Sequence, residues 1–329
     1  MRKQTMPTIS FATALEEALA EEMRRDERVY TMSTAVPAGL LQELGPSRVR
    51  RMPISEATMT GIAVGSAGCG FRPVVHWRSV TFAFMAFDQV VNQACKIRYM
   101  FGGQRDFPIV FRASYLNGTR SAAQHSQTGY ALYAHLAGLK VILPSGAADA
   151  KGLLKSAIRD NNPVVFFEPG RIDPITEEVP DGDHLVPIGV ASVKRPGTDV
   201  TVVALGYMVY PALAAAEALA AEGVSVEVID PRTLVPLDAE TIRASVQKTG
   251  RLVIVDESAP TCSMASEIAA VAAEDWETCR SLKAPIRRVT TAAVPIPFSP
   301  PLEDFVLPDQ GNITAAVREA MGYAPAVAR

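Results

Sequence analysis

Apolar residues recur with a period near 3.6 from Phe11 to Arg24, which predicts an amphipathic opening helix, and the strand-like run Val29-Tyr-Thr-Met32 follows it. Leu139–Leu143 and Pro163–Phe167 are short, nearly continuous apolar runs on either side of a helical stretch from Ala147 to Arg159. That order reads as a β-α-β unit whose strands are buried on both faces, and so as a parallel sheet covered by helices. Between Glu168 and about Pro187 the composition turns to Pro, Gly, Asp and Glu, the mark of a connection. Beyond it Asp199–Leu205, Val224–Ile229 and Arg251–Val255 read as three strands separated by Ala-rich helices. The predicted fold is α/β, with two domains over residues 1–187 and 188–329, each a mostly parallel sheet flanked by helices. No internal repeat or low-complexity tract interrupts it.

Two segments break this regularity. Ala113–Gln127 follows a strand, has no clear period and carries His125; loops of that length inside compact domains are functional or disordered, and strand ends of parallel sheets are where ligands sit. Met52–Ala67 places Glu56 between a strand end and an apolar, small-residue helix. Two readings fit that acid: an N-terminal capping residue favoured by the helix dipole, or a functional carboxylate.

Composition narrows the classes. A chain of 329 residues is long enough for two domains with their own cores, and 48% hydrophobic with 20% charged residues describes a well-packed globular protein. A formal charge of −3 without a basic cluster excludes the concentrated Lys/Arg face that nucleic acid demands. No run of about 18 apolar residues occurs, so no membrane span is expected. The N-terminal Met1–Pro7 carries Arg2 and Lys3 but lacks the apolar core of a secretory signal. Cys69, Cys95, Cys262 and Cys279 form no paired metal-ligand spacing, and reduced, mostly buried thiols in a cytoplasmic protein are expected.

Four histidines are present. His125, in a polar loop, is either a solvated side chain or a group that exchanges protons near neutral pH. His135 reads as a structural residue in an apolar stretch, and His184 falls in the linker. Phe82 and Tyr99, taken as residues alone, read as core aromatics.

Beyond Met52–Ala67, the stretches Gly70–Val75, Ala86–Lys96, Tyr99–Gly103, Pro108–Arg112, Gln124–Gln127, Asp149–Leu154, Asn162–Glu168, Asp230–Asp238 and Val294–Pro300 resemble, collinearly, the beta subunits of the decarboxylating first component of 2-oxo acid dehydrogenase complexes (pyruvate, branched-chain and acetoin types), relatives of transketolase. The resemblance implies a transketolase-like pyrimidine-binding domain followed by a transketolase C-terminal-like domain. It implies that Glu56 contacts the pyrimidine ring of thiamine diphosphate as the activating acid. It also implies that His125 handles protons on the 2-oxo acid intermediate and the acyl acceptor, and that Phe82, Met85 and Tyr99 line the cofactor pocket, supported by Asp88 and Gln89. The family's Gly-Asp-Gly and Asn-Asn signature for Mg²⁺ and diphosphate is absent, and Asp181-Gly-Asp183 is only a superficial relative of it. No metal ligand is therefore expected in this chain. The resemblance assigns Mg²⁺ to an alpha subunit, in an alpha2beta2 heterotetramer, with a lipoyl acyltransferase as a further partner.

The chain also departs from that family. Thr31–Leu40 stands where members carry a Gly-Glu-Asp-Val stretch, so a second acid near the cofactor is lost. His76 replaces a Glu, Arg112–Gly118 replaces an Arg-Gly-Pro turn, and Ala293 replaces an Asp. His76 is either a core residue beside Trp77 or a substrate contact. Arg78, Tyr115 and Arg120 are candidates for gripping a substrate carboxylate, against the alternative of solvated arginines. Three functions remain open: the decarboxylating dehydrogenase subunit, a subunit of a split transketolase-like carboligase, and a non-catalytic partner subunit.

Overall fold

The computed structural model describes residues 6–322; Arg2 and Lys3 of the N-terminal segment lie outside them. The chain forms two compact units, Met1–Leu116 with Leu132–Ile188, and Asn117–Ala131 with Gly189–Arg329.

The first unit opens with β1 (Thr8–Ser10) and α1 (Phe11–Arg25), then runs through β2 (Val29–Ser33), α2 (Ala38–Leu44), β3 (Val49–Arg51), α3 (Glu56–Gly68) and β4 (Arg72–Ser79). It continues with a 3₁₀ turn at Phe82–Ala86, a π-helical turn at Gln89–Ala94, α4 (Ile97–Met100), β5 (Val110–Tyr115), α5 (Tyr130–Ala134), β6 (Lys140–Ile142), α6 (Ala147–Arg159), β7 (Val164–Pro169) and β8 (Thr176–Glu178). The strand order β6-β7-β5-β4-β2-β3 has every neighbouring pair parallel. Ser10 caps α1 by accepting from the Thr13 amide, and Arg24 and Arg25 sit in its last turn, where the helix dipole favours cations. α1 packs on α6 through ion pairs that satisfy two buried lysines: Lys151 meets Glu17 and Glu21 at 2.7 and 2.9 Å, and Lys155 meets Glu21 at 2.6 Å. The Pro/Gly-rich connection, expected to lack structure, contains β8, which pairs antiparallel with β1. Three residues expected in the long loop, Ala113–Tyr115, instead extend β5 in register with β7.

The second unit contains β9 (Ser192–Arg195), β10 (Val200–Ala204), α7 (Val209–Ala220), β11 (Val226–Asp230), β12 (Thr233–Val235), α8 (Ala239–Thr249) and β13 (Leu252–Asp256). α9 (Met264–Glu274), α10 (Trp276–Ser281), β14 (Arg287–Thr290), α11 (Pro300–Val306) and α12 (Gln310–Ala320) follow. Its sheet has the order β14-β13-β10-β11-β9, parallel except for β9. The core between β10, β11, β13 and α7 is built from Val, Ala, Leu and Met, which explains the uninterrupted apolar runs in the sequence. Among the described residues no helix is long and apolar enough to cross a membrane.

Candidate functional site

After β3 the chain passes through Met52, whose amide donates to Ser33 O at 2.9 Å, and Glu56 becomes the first residue of α3. Ser55 makes no side-chain capping bond, and Glu56 lies in the first turn of α3, where the helix dipole favours an acid. The Glu56 residue is 7% exposed, and its carboxyl has no hydrogen bond or ion pair among the described residues. The helix start is fixed instead from below. Thr60 donates to Glu56 O at 2.8 Å and accepts from Trp77 Nε1 at 2.9 Å. Trp77 is buried in β4 and stacks on Phe111, with ring centroids 4.8 Å apart. With no partner among the described residues, the carboxyl is open to a ligand that brings a hydrogen-bond donor.

The turns at Phe82–Ala86 and Gln89–Ala94 pack against α3. Phe82 is 38% exposed, Met85 75% and Tyr99 86%, so the core-aromatic reading of Phe82 and Tyr99 is corrected: both present apolar surface to the outside. Asp88 accepts from Asn92 Nδ2 at 2.6 Å, while Gln89 Oε1 is buried without a partner. π-helical turns of this kind occur disproportionately at functional sites.

At the C-terminal end of β4 the register with β5 shifts between His76 and Ser79, and Arg78 takes a left-handed φ of 70°. Such a bulge re-aims side chains. His76 is mostly buried, its Nε2 makes no hydrogen bond, and it lies 3.8 Å from Glu168. Burial pushes its imidazole down to about 4, against the attraction of Glu168, so near neutral pH His76 is uncharged. Burial opposes ionisation of Glu168 too, yet Arg112, donating from Nε at 2.6 Å, holds that carboxylate below its ordinary range. Arg78 is exposed and pairs with no acid among the described residues. Tyr115 ends β5 and is buried.

In the second unit the segment 117–131 holds Arg120 and His125. Arg120 donates to Glu303 and to Pro300 O, both at 3.0 Å, and pairs with Asp304, so its guanidinium is engaged within the protein. His125 is partly exposed, and its amide donates to Ala122 O at 3.2 Å.

The remaining sequence candidates find ordinary places. His135 is exposed rather than structural. His184 Nε2 lies 3.1 Å from Ala148 O and fastens the connection to α6. Asp183 pairs with Arg159 and Lys155. Of the four thiols only Cys95 is buried, which overturns the expectation of mostly buried cysteines. Sequence reasoning did not single out Thr60, which lies inside Met52–Ala67 and whose hydroxyl links Trp77 to the start of α3, or Glu303, which belongs to no motif; each acts through a partner distant in sequence.

Two domain families match the chain: "Transketolase, pyrimidine binding domain" over residues 7–172 and "Transketolase, C-terminal domain" over residues 189–313. The chain is 42% identical to the beta subunit of acetoin:2,6-dichlorophenolindophenol oxidoreductase of Cupriavidus necator, across 95% of this chain and 97% of that one. It is 44% identical to the pyruvate dehydrogenase E1 component subunit beta of Rhizobium meliloti, across 95% of this chain and 70% of that one. Among solved structures, a split gene transketolase described as an inactive beta4 tetramer superposes with a TM-score of 0.80 at 26% identity, covering 95% of this chain and 98% of that one. With both domains matched in order and relatives this similar along nearly its full length, the chain belongs to the transketolase-related beta subunits of the first component of 2-oxo acid dehydrogenases.

Proposed function

We propose that the chain is the beta subunit of a thiamine diphosphate-dependent decarboxylating enzyme acting on a 2-oxo acid. Its partner would be an alpha subunit that holds Mg²⁺ and the diphosphate, in a cytoplasmic alpha2beta2 heterotetramer. The observation that carries this reading is the carboxyl of Glu56, a mostly buried residue, without a partner among the described residues at the start of a helix whose neighbouring turn exposes Phe82 and Met85. That set fits the aminopyrimidine half of the cofactor: an acid for a ring nitrogen and apolar surfaces for the ring faces. When bound, thiamine diphosphate supplies the electron sink for cleavage of the bond beside the substrate carbonyl. Glu56 holds and shares the proton at the ring nitrogen, while Phe82 and Met85 exclude water from it. His125 gives and takes protons at the substrate oxygen and on the incoming lipoyl or other acyl acceptor. Arg78, at the β4 bulge, is the candidate for the substrate carboxylate, with a neutral His76 beside it as a hydrogen-bonding group.

Exposed Ile54, Met85, Tyr99, Met100 and Phe101 in the first unit support a partner-covered surface there. A second substrate class, acetoin, is favoured by the 42% identity to the Cupriavidus necator oxidoreductase subunit. The test is co-expression with the alpha partner, then turnover of pyruvate, branched 2-oxo acids and acetoin with an artificial electron acceptor. Glu56→Gln is expected to lower turnover by roughly 10²- to 10⁴-fold, the scale of a lost general acid. Unchanged turnover in that variant rejects Glu56 as the activating acid. Formation of a longer ketol instead of carbon dioxide and an acyl product assigns the chain to a carboligase.

A further inference from the structure

Residues 117–131, which carry His125, pack with the C-terminal unit, and they are tied to it on both sides of the imidazole. Upstream stands Glu303 of α11, whose side chain is completely buried. Its Oε1 accepts the Gly118 amide at 2.7 Å, and its Oε2 accepts both the Arg120 amide and Arg120 Nη1 at 3.0 Å. The same guanidinium donates to Pro300 O at 3.0 Å and meets Asp304 at 2.7 Å. Asn117 Nδ2 donates to Glu257 O at 3.2 Å. Downstream, the Thr128 and Ser258 hydroxyls lie 2.8 Å apart, and the Tyr130 hydroxyl donates to the buried Asp256 carboxylate at the end of β13.

Between these anchors the backbone is strained. Gly118, Arg120 and Ala122 take φ values of 75°, 63° and 62°, and the last two are side-chain-bearing residues in the left-handed region. Conformations of that kind persist only where the surroundings over-determine them. Glu303 meets the requirement: it fixes Gly118 and Arg120 through their own amides, and the His125 amide closes on Ala122 O just beyond.

We propose that Glu303 is a positioning residue for His125: a carboxylate of the C-terminal domain that sets the conformation of the segment presenting the imidazole. The inference rests on the role of His125 given above. Both carboxylate oxygens face donors, so an amide cannot replace the acid. Glu303→Gln keeps the volume but turns an NH₂ group toward at least one N–H, and with the side chain shielded from solvent no water compensates.

The test uses the enzyme assembled with its alpha partner and two readouts. The first is hydrogen exchange of peptides spanning residues 117–131. Glu303→Gln is expected to speed exchange there by about tenfold or more, the scale of a buried hydrogen bond lost, while β10 and β13 stay protected. Ser258→Ala, which removes one of the two downstream ties and leaves Tyr130 on Asp256, is expected to speed exchange in the second half of the segment and keeps the test open should Glu303→Gln not assemble. The second readout is steady-state kinetics. Glu303→Gln is expected to lower kcat by up to about 100-fold with KM little changed, as for a misplaced catalytic group. Adding it to His125→Ala should lower kcat no further, because residues acting through one another are not additive. Exchange unchanged in both variants, or losses that multiply in the double variant, overturns the proposal. If His125→Ala turns over normally, it is the role of His125 that fails, and exchange alone then decides whether Glu303 fixes the segment.

Discussion

Acidification from pH 7 to pH 5 should destabilise this chain through His76, by an amount that the structure permits to be worked out. The imidazole is mostly buried at the β4 bulge, with its Nε2 unbonded, and burial lowers its pKa from 6.5 to about 4. In that interval the unfolded chain binds a proton that the folded chain does not. A depressed histidine therefore contributes stability that is fully present above about pH 6.5 and is lost as the pH falls toward 4. Each unit of displacement corresponds to about 1.4 kcal/mol, and linkage over the interval from pH 7 to pH 5 gives a loss of about 2 kcal/mol attributable to this one group. For a domain of this size that is a fall in Tm of roughly 4–8 °C. The assay is thermal or urea unfolding of the isolated chain at half-unit steps of pH, beside His76→Gln, which has no group titrating at that position. Carboxylates elsewhere titrate in both proteins, so the difference between the two slopes is the quantity of interest. The variant should be the less pH-sensitive of the pair by about 2 kcal/mol between pH 7 and pH 5. Parallel slopes would show that His76 is solvated, and a slope difference of opposite sign that it is charged at neutral pH; the neutral hydrogen-bonding role assigned to it beside Arg78 would go with either result.

The other expectations are simpler to check. Native alkylation at pH 8 followed by mass spectrometry should label Cys69, Cys262 and Cys279, which are exposed, and spare Cys95, whose thiol burial pushes up to about 11; rapid labelling of Cys95 would contradict its placement. Gly138→Ala should destabilise the chain by about 3 kcal/mol in urea unfolding, because Gly138 has a φ of 92° and a Cβ there would lie 2.3 Å from Cys95 O. A loss under about 1 kcal/mol would mean the backbone there relaxes freely.

Much of the architecture could be read directly along the chain. Strands such as Val200–Ala204 and Leu252–Asp256 are buried on both faces, so all but one residue of each is apolar, and that near-continuity marks them without a third dimension. Helices α1 and α6 declare themselves by the spacing of their buried faces. Glu56 and His125 stand out as candidates only by motif resemblance, since the local pattern around each fits an ordinary structural role as well.

Other features were settled by partners far away in the chain. The strand pairing of Thr8–Ser10 with Thr176–Glu178 joins segments too short to carry a period. The exposure of Phe82 and Tyr99 depends on which neighbours cover them, and an aromatic side chain looks the same in sequence whether it fills a core or awaits a partner. The start of α3 is set by Trp77 through Thr60, and residues 117–131 are held by Glu303 and Asp256. Local propensity fixes the period of an element, because it is a property of adjacent residues. The partner of a buried carboxylate is a property of distance in space, and nothing in the spacing of Gly118 and Arg120 encodes an acid at position 303.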